Sequence, residues 1–269
     1  MTFRSIKRLF LCAFLLMHTT GFSQVKRNYH YVFWGRIVLT DKITDKLKWE
    51  LWLQYRSQNA NSQLNIFKEP QFSTVWTWLN YTISPKVKVA VTPFSYFNTW
   101  PLYASPTDLE ASPVKELRWV IRGEHEHKLK YFQLMNRLGV EYRWRDFNNS
   151  DRYVSNYRIR YMLRLEKTVN TGLLSKPITF ILNDEVLLQY GDAVKNNASV
   201  FDQNRVYLGF NYEVLKNIKF NLGYLYTLQE RPSGKEWDHI NTLWAIVTFD
   251  NVFSQFYSRQ KKYNRLQQH

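Results

Sequence analysis

FQLMNRLGVEYRWR (132–145) and NYRIRYMLRLEK (156–167) decide how this chain is read. In the first, Phe132, Leu134, Leu138, Val140, Tyr142 and Trp144 alternate with Gln133, Met135, Arg137, Gly139, Glu141, Arg143 and Arg145; Asn136 is the polar residue on the apolar side. In the second, Tyr157, Ile159, Tyr161, Leu163 and Leu165 alternate with Asn156, Arg158, Arg160, Met162, Arg164 and Glu166. Side chains switch faces at each residue of a strand, so each run has one apolar and one charged face. Runs of about 11–14 residues are long for a globular strand and match a tilted bilayer crossing. This is the repeating unit of a membrane β-barrel.

The same period recurs along the chain. It carries Tyr31, Phe33, Ile37 and Leu39, then Trp49, Leu51, Leu53 and Tyr55, then Val75, Thr77, Leu79, Tyr81 and Ile83. Val87, Val89 and Val91 continue it, and Pro93, which cannot donate to a ladder, weakens the far end of that strand. Leu117, Trp119 and Ile121 follow, then after the central pair Phe180, Leu182, Val186 and Leu188. Segments 206–214, 218–228 and 240–249 complete eleven. One alternating strand fits any sandwich, but this much repetition does not. Connections are short after Thr40, Ile83, Glu126 and Val214 and long after Arg56, Asn98, Tyr190 and Gln229, the arrangement of outer-membrane barrels. The Pro-rich run from Asn98 to Pro113 reads as a long loop able to fold back. Bacterial single-chain barrels have even strand numbers, so the reading is an all-β, antiparallel up-and-down transmembrane barrel of about 12 strands (10–12). The twelfth is sought in 24–30 or 251–258.

The chain has 269 residues, a formal charge of +15 and 17% aromatics. Arg4, Lys7 and Arg8, the apolar run Leu9–Met17, and small residues at Gly21 and Ser23 predict a signal peptide over 1–23, cut before Gln24. The domains are then 1–23 signal peptide, 24–258 barrel and 259–269 basic tail. Removing three basic residues leaves 34 against 22 acidic. Cys12 is the only cysteine and lies in the signal, so no disulfide or thiol chemistry is expected in the mature chain. No segment has eighteen consecutive apolar residues, which leaves a closed barrel or a soluble periplasmic β-protein.

The strands read this way resemble a family of bacterial outer-membrane barrels, common in Bacteroidota, catalogued as domain of unknown function 2490. Tyr157–Leu165, Asn183–Asp184–Glu185 and Phe201–Asp202–Gln203–Asn204–Arg205–Val206–Tyr207 carry the resemblance, with Gly209, Tyr212 and Gly223–Tyr224. It implies a barrel in the outer membrane and no assigned reaction. The basic tail Arg259–His269, running on past Phe256 and Tyr257, departs from chains that stop at an aromatic on the final strand.

Charges on the inner face define the candidate site: Glu50, Arg56, Glu116, Arg118, Arg122, Arg137, Glu141, Arg143, Arg158, Arg160, Arg164, Glu166, Glu185, Arg205 and Glu213, with Glu124 beside them. An Arg facing lipid at mid-membrane costs about 2–4 kcal/mol, so the nine named here would exceed a typical domain stability of about 5–15 kcal/mol. Inside, Arg and Glu pair with bidentate geometry. Two readings stand: a narrow anion-preferring pore, and a structural lumen filled by ion pairs, as in the smallest barrels. Alternatives are a soluble periplasmic barrel or sandwich binding a small ligand, and an outer-membrane lipid-modifying enzyme. Against the enzyme, His30, His125, His127, His239 and His269 stand in no serine motif. The run Glu124–His127 is placed at a turn, where its two histidines are weak metal candidates. No metal, cofactor or catalytic residue is expected. Trp49, Tyr55, Trp76, Trp78, Trp119, Tyr142, Trp144, Tyr157, Tyr224 and Trp237 are rings for either a membrane interface or sheet packing. Expected partners are the lipid bilayer, lipopolysaccharide and the outer-membrane assembly machinery. Nucleic acid is excluded, because the arginines form interior stripes on an exported chain.

Overall fold

A computed structural model describes residues 25–60, 63–105, 108, 110–172 and 174–255. The expected signal peptide and basic tail lie outside them. The strands are β1 (Lys26–Lys42), β2 (Leu47–Gln58), β3 (Glu69–Ser84), β4 (Val87–Val91), β5 (Ser95–Thr99), β6 (Val114–Lys128), β7 (Gln133–Asp146), β8 (Val154–Val169), β9 (Ile178–Tyr190), β10 (Phe201–Leu215), β11 (Ile218–Glu230) and β12 (Glu236–Asp250). Neighbours in sequence other than β4 and β5 pair antiparallel, and β1 closes the ring against β12. A strand of 15 residues spans about 50 Å, or about 35 Å of height at a tilt near 45°, enough for the hydrocarbon core.

Twelve strand segments fill eleven positions in the wall. β4 and β5 each pair with both β3 and β6, so they are two halves of one interrupted strand. The break falls at Pro93, which has no N–H to give. Thr77 stitches the gap: its amide donates to Phe94 O at 2.9 Å and its hydroxyl to the same oxygen at 2.7 Å. The sequence placed 98–113 as loop and did not foresee that the wall resumes at Ser95.

The expectation of an even strand number is not met. Residues 26–30 belong to β1, and 251–255 form a turn pinned by Asp41, whose carboxylate accepts the amides of Phe253 and Ser254 at 2.6 and 2.7 Å. An odd ring of up-and-down strands must close in parallel. β1 and β12 do so in unbroken register from Lys26↔Glu236 to Thr40↔Asp250. The ends of the barrel are unequal. One carries the loops 59–68, 100–113, 147–153, 191–200 and 231–235; the other carries 43–46, 85–86, 129–132, 170–177 and 216–217. Asn217, at φ 67°, makes the two-residue turn after β10 possible.

The faces divide as the alternation requires. Trp119, Leu138, Leu182, Leu208 and Leu243 are exposed outside. Within, two apolar clusters are buried: Val32, Trp34, Ile181, Tyr207, Leu225 and Ile240, and Phe72, Trp76, Trp78, Ala90, Phe97 and Val120. Trp76 and Trp78 are therefore interior rings, not members of an interface belt. They pack on one another with centroids 4.8 Å apart. Tyr207 lies across Gly209 and Gly223, where a Cβ would collide with its ring, and donates to Asn221 Oδ1 at 2.6 Å. These paired glycines are the place an inward aromatic can lie flat on the sheet.

Candidate functional site

The barrel encloses a cavity of about 1090 Å³ that runs from the long-loop end down to Thr40, Lys48, Arg164 and Thr248. Thirteen basic and seven acidic side chains line it, a surplus of six. The period of two puts residues 116, 118 and 122 of β6, 137 to 145 (odd) of β7, 158 to 164 (even) of β8 and 183, 185 and 189 of β9 on this surface. Strand register then decides which charges meet: Glu141 lies opposite Arg158, Arg145 opposite Glu116, and Arg205 opposite Glu185.

Three glutamates organise the β6–β9 side. Glu141 is fully buried and accepts Arg158 Nε at 2.8 Å, Arg158 Nη2 at 2.6 Å and Arg160 Nη1 at 2.7 Å, with Arg118 Nη1 at 3.7 Å. Glu116 takes a bidentate pair from Arg143, Nε at 2.7 Å and Nη2 at 2.8 Å, and a further bond from Arg118 Nε. Glu185 holds Arg160 Nη2 through both oxygens, at 2.7 and 2.8 Å, with Arg205 Nη1 at 3.6 Å. Arg158 also reaches Asp202 Oδ2 at 3.2 Å. Toward the short-turn end, Arg137 Nε donates to Glu124 at 2.8 Å. Charge-assisted bidentate bonds of this kind fix geometry as well as charge.

The β1–β3 side treats arginine differently. Arg56 lies over Trp34 at 3.5 Å and Phe72 at 3.9 Å from the ring centroids. Arg36 lies over Trp52 at 4.3 Å and Trp244 at 5.0 Å, and donates only to Gln54 Oε1, at 3.0 and 2.7 Å. Where the sides meet, Arg118 covers Phe97 and Arg122 covers Trp78, each at 3.9 Å.

The long-loop mouth is narrowed by the chain itself. Gln58 Nε2 donates to Pro70 O at 3.0 Å and Pro101 O at 2.8 Å. Arg231 Nη2 donates to Leu102 O at 3.2 Å, while its Nε bonds Asp238, at 3.0 Å to each oxygen. Leu102 packs on the cluster holding Val32 and Trp34, and Tyr103 is buried. Arg231 Nη1 also lies 3.6 Å from Asp108. Burial alone would raise the Asp108 carboxyl, but the amides of Ala104 and Ser105 and the Arg231 guanidinium hold it below the usual range. The described part of the Pro-rich loop is thus a partial cap at the long-loop end of the cavity.

Thirteen of the fifteen inner-face charges named from the sequence line the cavity. Glu166 and Glu213 do not. Glu166 pairs with Arg164 at the short-turn rim, and Glu213 meets Lys176 at 2.9 Å with 40% of its side chain exposed. Both sit beyond the enclosed volume because their strands outrun it. Lining the cavity but absent from the fifteen are Arg36, Lys48, Arg145, Asp202, Glu230, Arg231 and Asp238. Arg145 follows Arg143 by two and was readable. Arg36 shares its face with Val32, Trp34 and Val38, so no charged stripe marked it. Glu124–His127 is strand rather than turn, since β6 runs to Lys128. The His125 and His127 rings adjoin at 4.0 Å, and no group of three potential ligands occurs among the described residues.

Residues 32–238 match the family model described as "Protein of unknown function (DUF2490)". A comparison with curated proteins finds no match. Among solved structures, two mutants of the ferric enterobactin receptor of Pseudomonas aeruginosa are similar at 10% identity and a TM-score of 0.28, over 70% and 69% of this chain. The chain spans about a third of that receptor, 35%, and a likeness so distant carries no argument. The family match covers most of the chain, and the protein belongs to the DUF2490 family of proteins of unknown function.

Proposed function

We propose that this protein is an integral outer-membrane β-barrel whose lumen forms a narrow, anion-preferring conduit, narrowed by the partial cap at its long-loop mouth. The observation that carries the reading is the pairing of an apolar outside with a cavity holding six more basic than acidic residues. An exposed apolar surface wrapping a whole barrel is far beyond the few hundred Å² that a soluble monomer shows. Several polar groups on that outside pair with one another. Tyr161 O–H donates to Asn136 at 2.8 Å, Tyr224 O–H to Asn241 at 2.6 Å, and Asn204 Nδ2 to Asp184 at 2.6 Å. Lipid offers no partners, so such groups must pair within the sheet. Inside, a fixed positive surplus raises the local concentration of anions.

A barrel that does not conduct is the second reading, and the cap together with the multiply bonded glutamates favours it. Two measurements decide. Carbonate washing of membranes should leave the protein in the outer-membrane fraction, with a heat-dependent shift on SDS gels; release into the wash removes the membrane assignment. Purified protein in planar bilayers should give a current whose reversal potential in a salt gradient reports anion preference. Silence under every bias removes the conduit and leaves the structural barrel.

A further inference from the structure

We infer that the seam of the barrel, where β1 meets β2 and β12, is a binding site for an oxyanion, built from Arg36, Arg56, Trp34, Trp244 and Gln54. This deepens the anion-preferring reading and rests on it for the route by which solute arrives. Register makes the five residues contiguous. Trp34 lies opposite Trp244 on β12 and Arg56 on β2, and Arg36 lies opposite Gln54. All five line the cavity.

The group is a set of donors lacking acceptors. Trp34 Nε1, Trp244 Nε1, Gln54 Nε2 and Arg56 Nε are each buried with no hydrogen-bond partner. The Arg56 guanidinium makes no ion pair or hydrogen bond among the described residues; it lies over Trp34 and Phe72, and the charges that act on it are those of Arg205, Arg36, Arg118 and Arg158. Gln54 Oε1, the one side-chain acceptor in the group, is already taken twice by Arg36. Glu50, the carboxylate on the inner face of β2, is engaged by Trp52 Nε1 at 2.8 Å and by Lys48 at 4.0 Å. Buried polar groups in native proteins are overwhelmingly paired, and a cluster of unpaired ones calls for a partner outside the chain. Two cations and several N–H donors define that partner as an anion rich in lone pairs. Phosphate, sulfate and carboxylate groups share this chemistry, and guanidinium is the side chain that recognises it best. The aromatic faces under Arg36 and Arg56 hold the guanidinium planes without consuming their N–H edges. An internal carboxylate would consume them, as on the opposite wall.

The test uses the full chain, purified in detergent, titrated with inorganic phosphate at constant ionic strength. Trp34 and Trp244 belong to the site, so their fluorescence reports occupancy, and calorimetry gives an independent affinity. Saturable binding, displaced by sulfate, is expected. Arg56→Met and Arg36→Met should each weaken it by about tenfold or more, since each removes a charge-assisted contact. Arg164→Met, at the short-turn end beside Glu166, should leave it unchanged. The heat shift on SDS gels verifies that each variant is folded, and Gln54→Leu serves where an arginine variant is not. Absence of saturable binding overturns the site. So does equal weakening by all three arginine variants, which would mark a diffuse field instead of a defined site. Binding without bilayer current leaves the site standing and removes the conduit; current without binding does the reverse.

Discussion

The β6–β9 wall and the β1–β3 wall both point arginines into one cavity, yet they stabilise them by different means. On the first, Glu116, Glu141 and Glu185 each accept from at least one arginine through two or more bonds, and eight arginines line the cavity there against these three carboxylates. On the second, Arg36 and Arg56 rest on Trp52, Trp244, Trp34 and Phe72. Ion pairing consumes the N–H edges of a guanidinium, whereas stacking leaves them available. Thus the paired wall fixes the shape of the barrel, and the stacked wall holds guanidinium donors that no carboxylate has taken. A count of arginines could not distinguish them.

The largest test of that division is Glu141→Gln. It keeps the shape but leaves Arg158 and Arg160 with a neutral partner in a fully buried position. Breaking a buried pair from one side costs about 3–5 kcal/mol. Reversible urea unfolding in lipid vesicles should show a loss of that order. A change under about 1 kcal/mol would mean that water in the cavity screens the network, and the paired wall would lose its structural role.

Leu208→Arg tests the outer face behind both walls. Leu208 stands at the middle of β10, 60% exposed. On a lipid face the substitution costs about 2–4 kcal/mol; on a water-facing surface such a change stays within about 0.5 kcal/mol. The same unfolding measurement separates the two, and the smaller value would turn the outside of the barrel toward solvent.

The smallest effect is expected from Arg56→Met. A charge without an ionic partner gives up little when replaced by an apolar chain that fills the slot between Trp34 and Phe72. The expected change is neutral to a gain of about 1 kcal/mol. A loss as large as that of Glu141→Gln would erase the contrast between the walls.

Much of this architecture was legible in the chain because strand alternation is a local property. Leu138 and Val140 turn outward while Arg137 and Glu141 turn inward for the same steric reason, whatever lies across the lumen. Trp76 and Trp78 show where that logic stops. They occupy the inner register of β3 between outward Val75, Thr77 and Leu79, but an apolar residue on the inner face reads like an interface ring until its neighbours are known. Arg36 was missed for the converse reason, a single charge among inward Val32, Trp34 and Val38. The cap was half legible: prolines announced a long loop able to fold back, but not that Gln58 and Arg231 would bind its carbonyls.

By itself the sequence determined the two-faced strands, the unequal loop lengths at the two ends and the inward direction of most charges, since each follows from residue order within one segment. Only the tertiary structure decided that eleven wall positions close through a parallel seam, which arginines meet a carboxylate and which meet a ring, and that the Pro-rich loop narrows the mouth. Those outcomes depend on register between strands far apart in the chain, where a shift of one residue exchanges the faces and every partner across them.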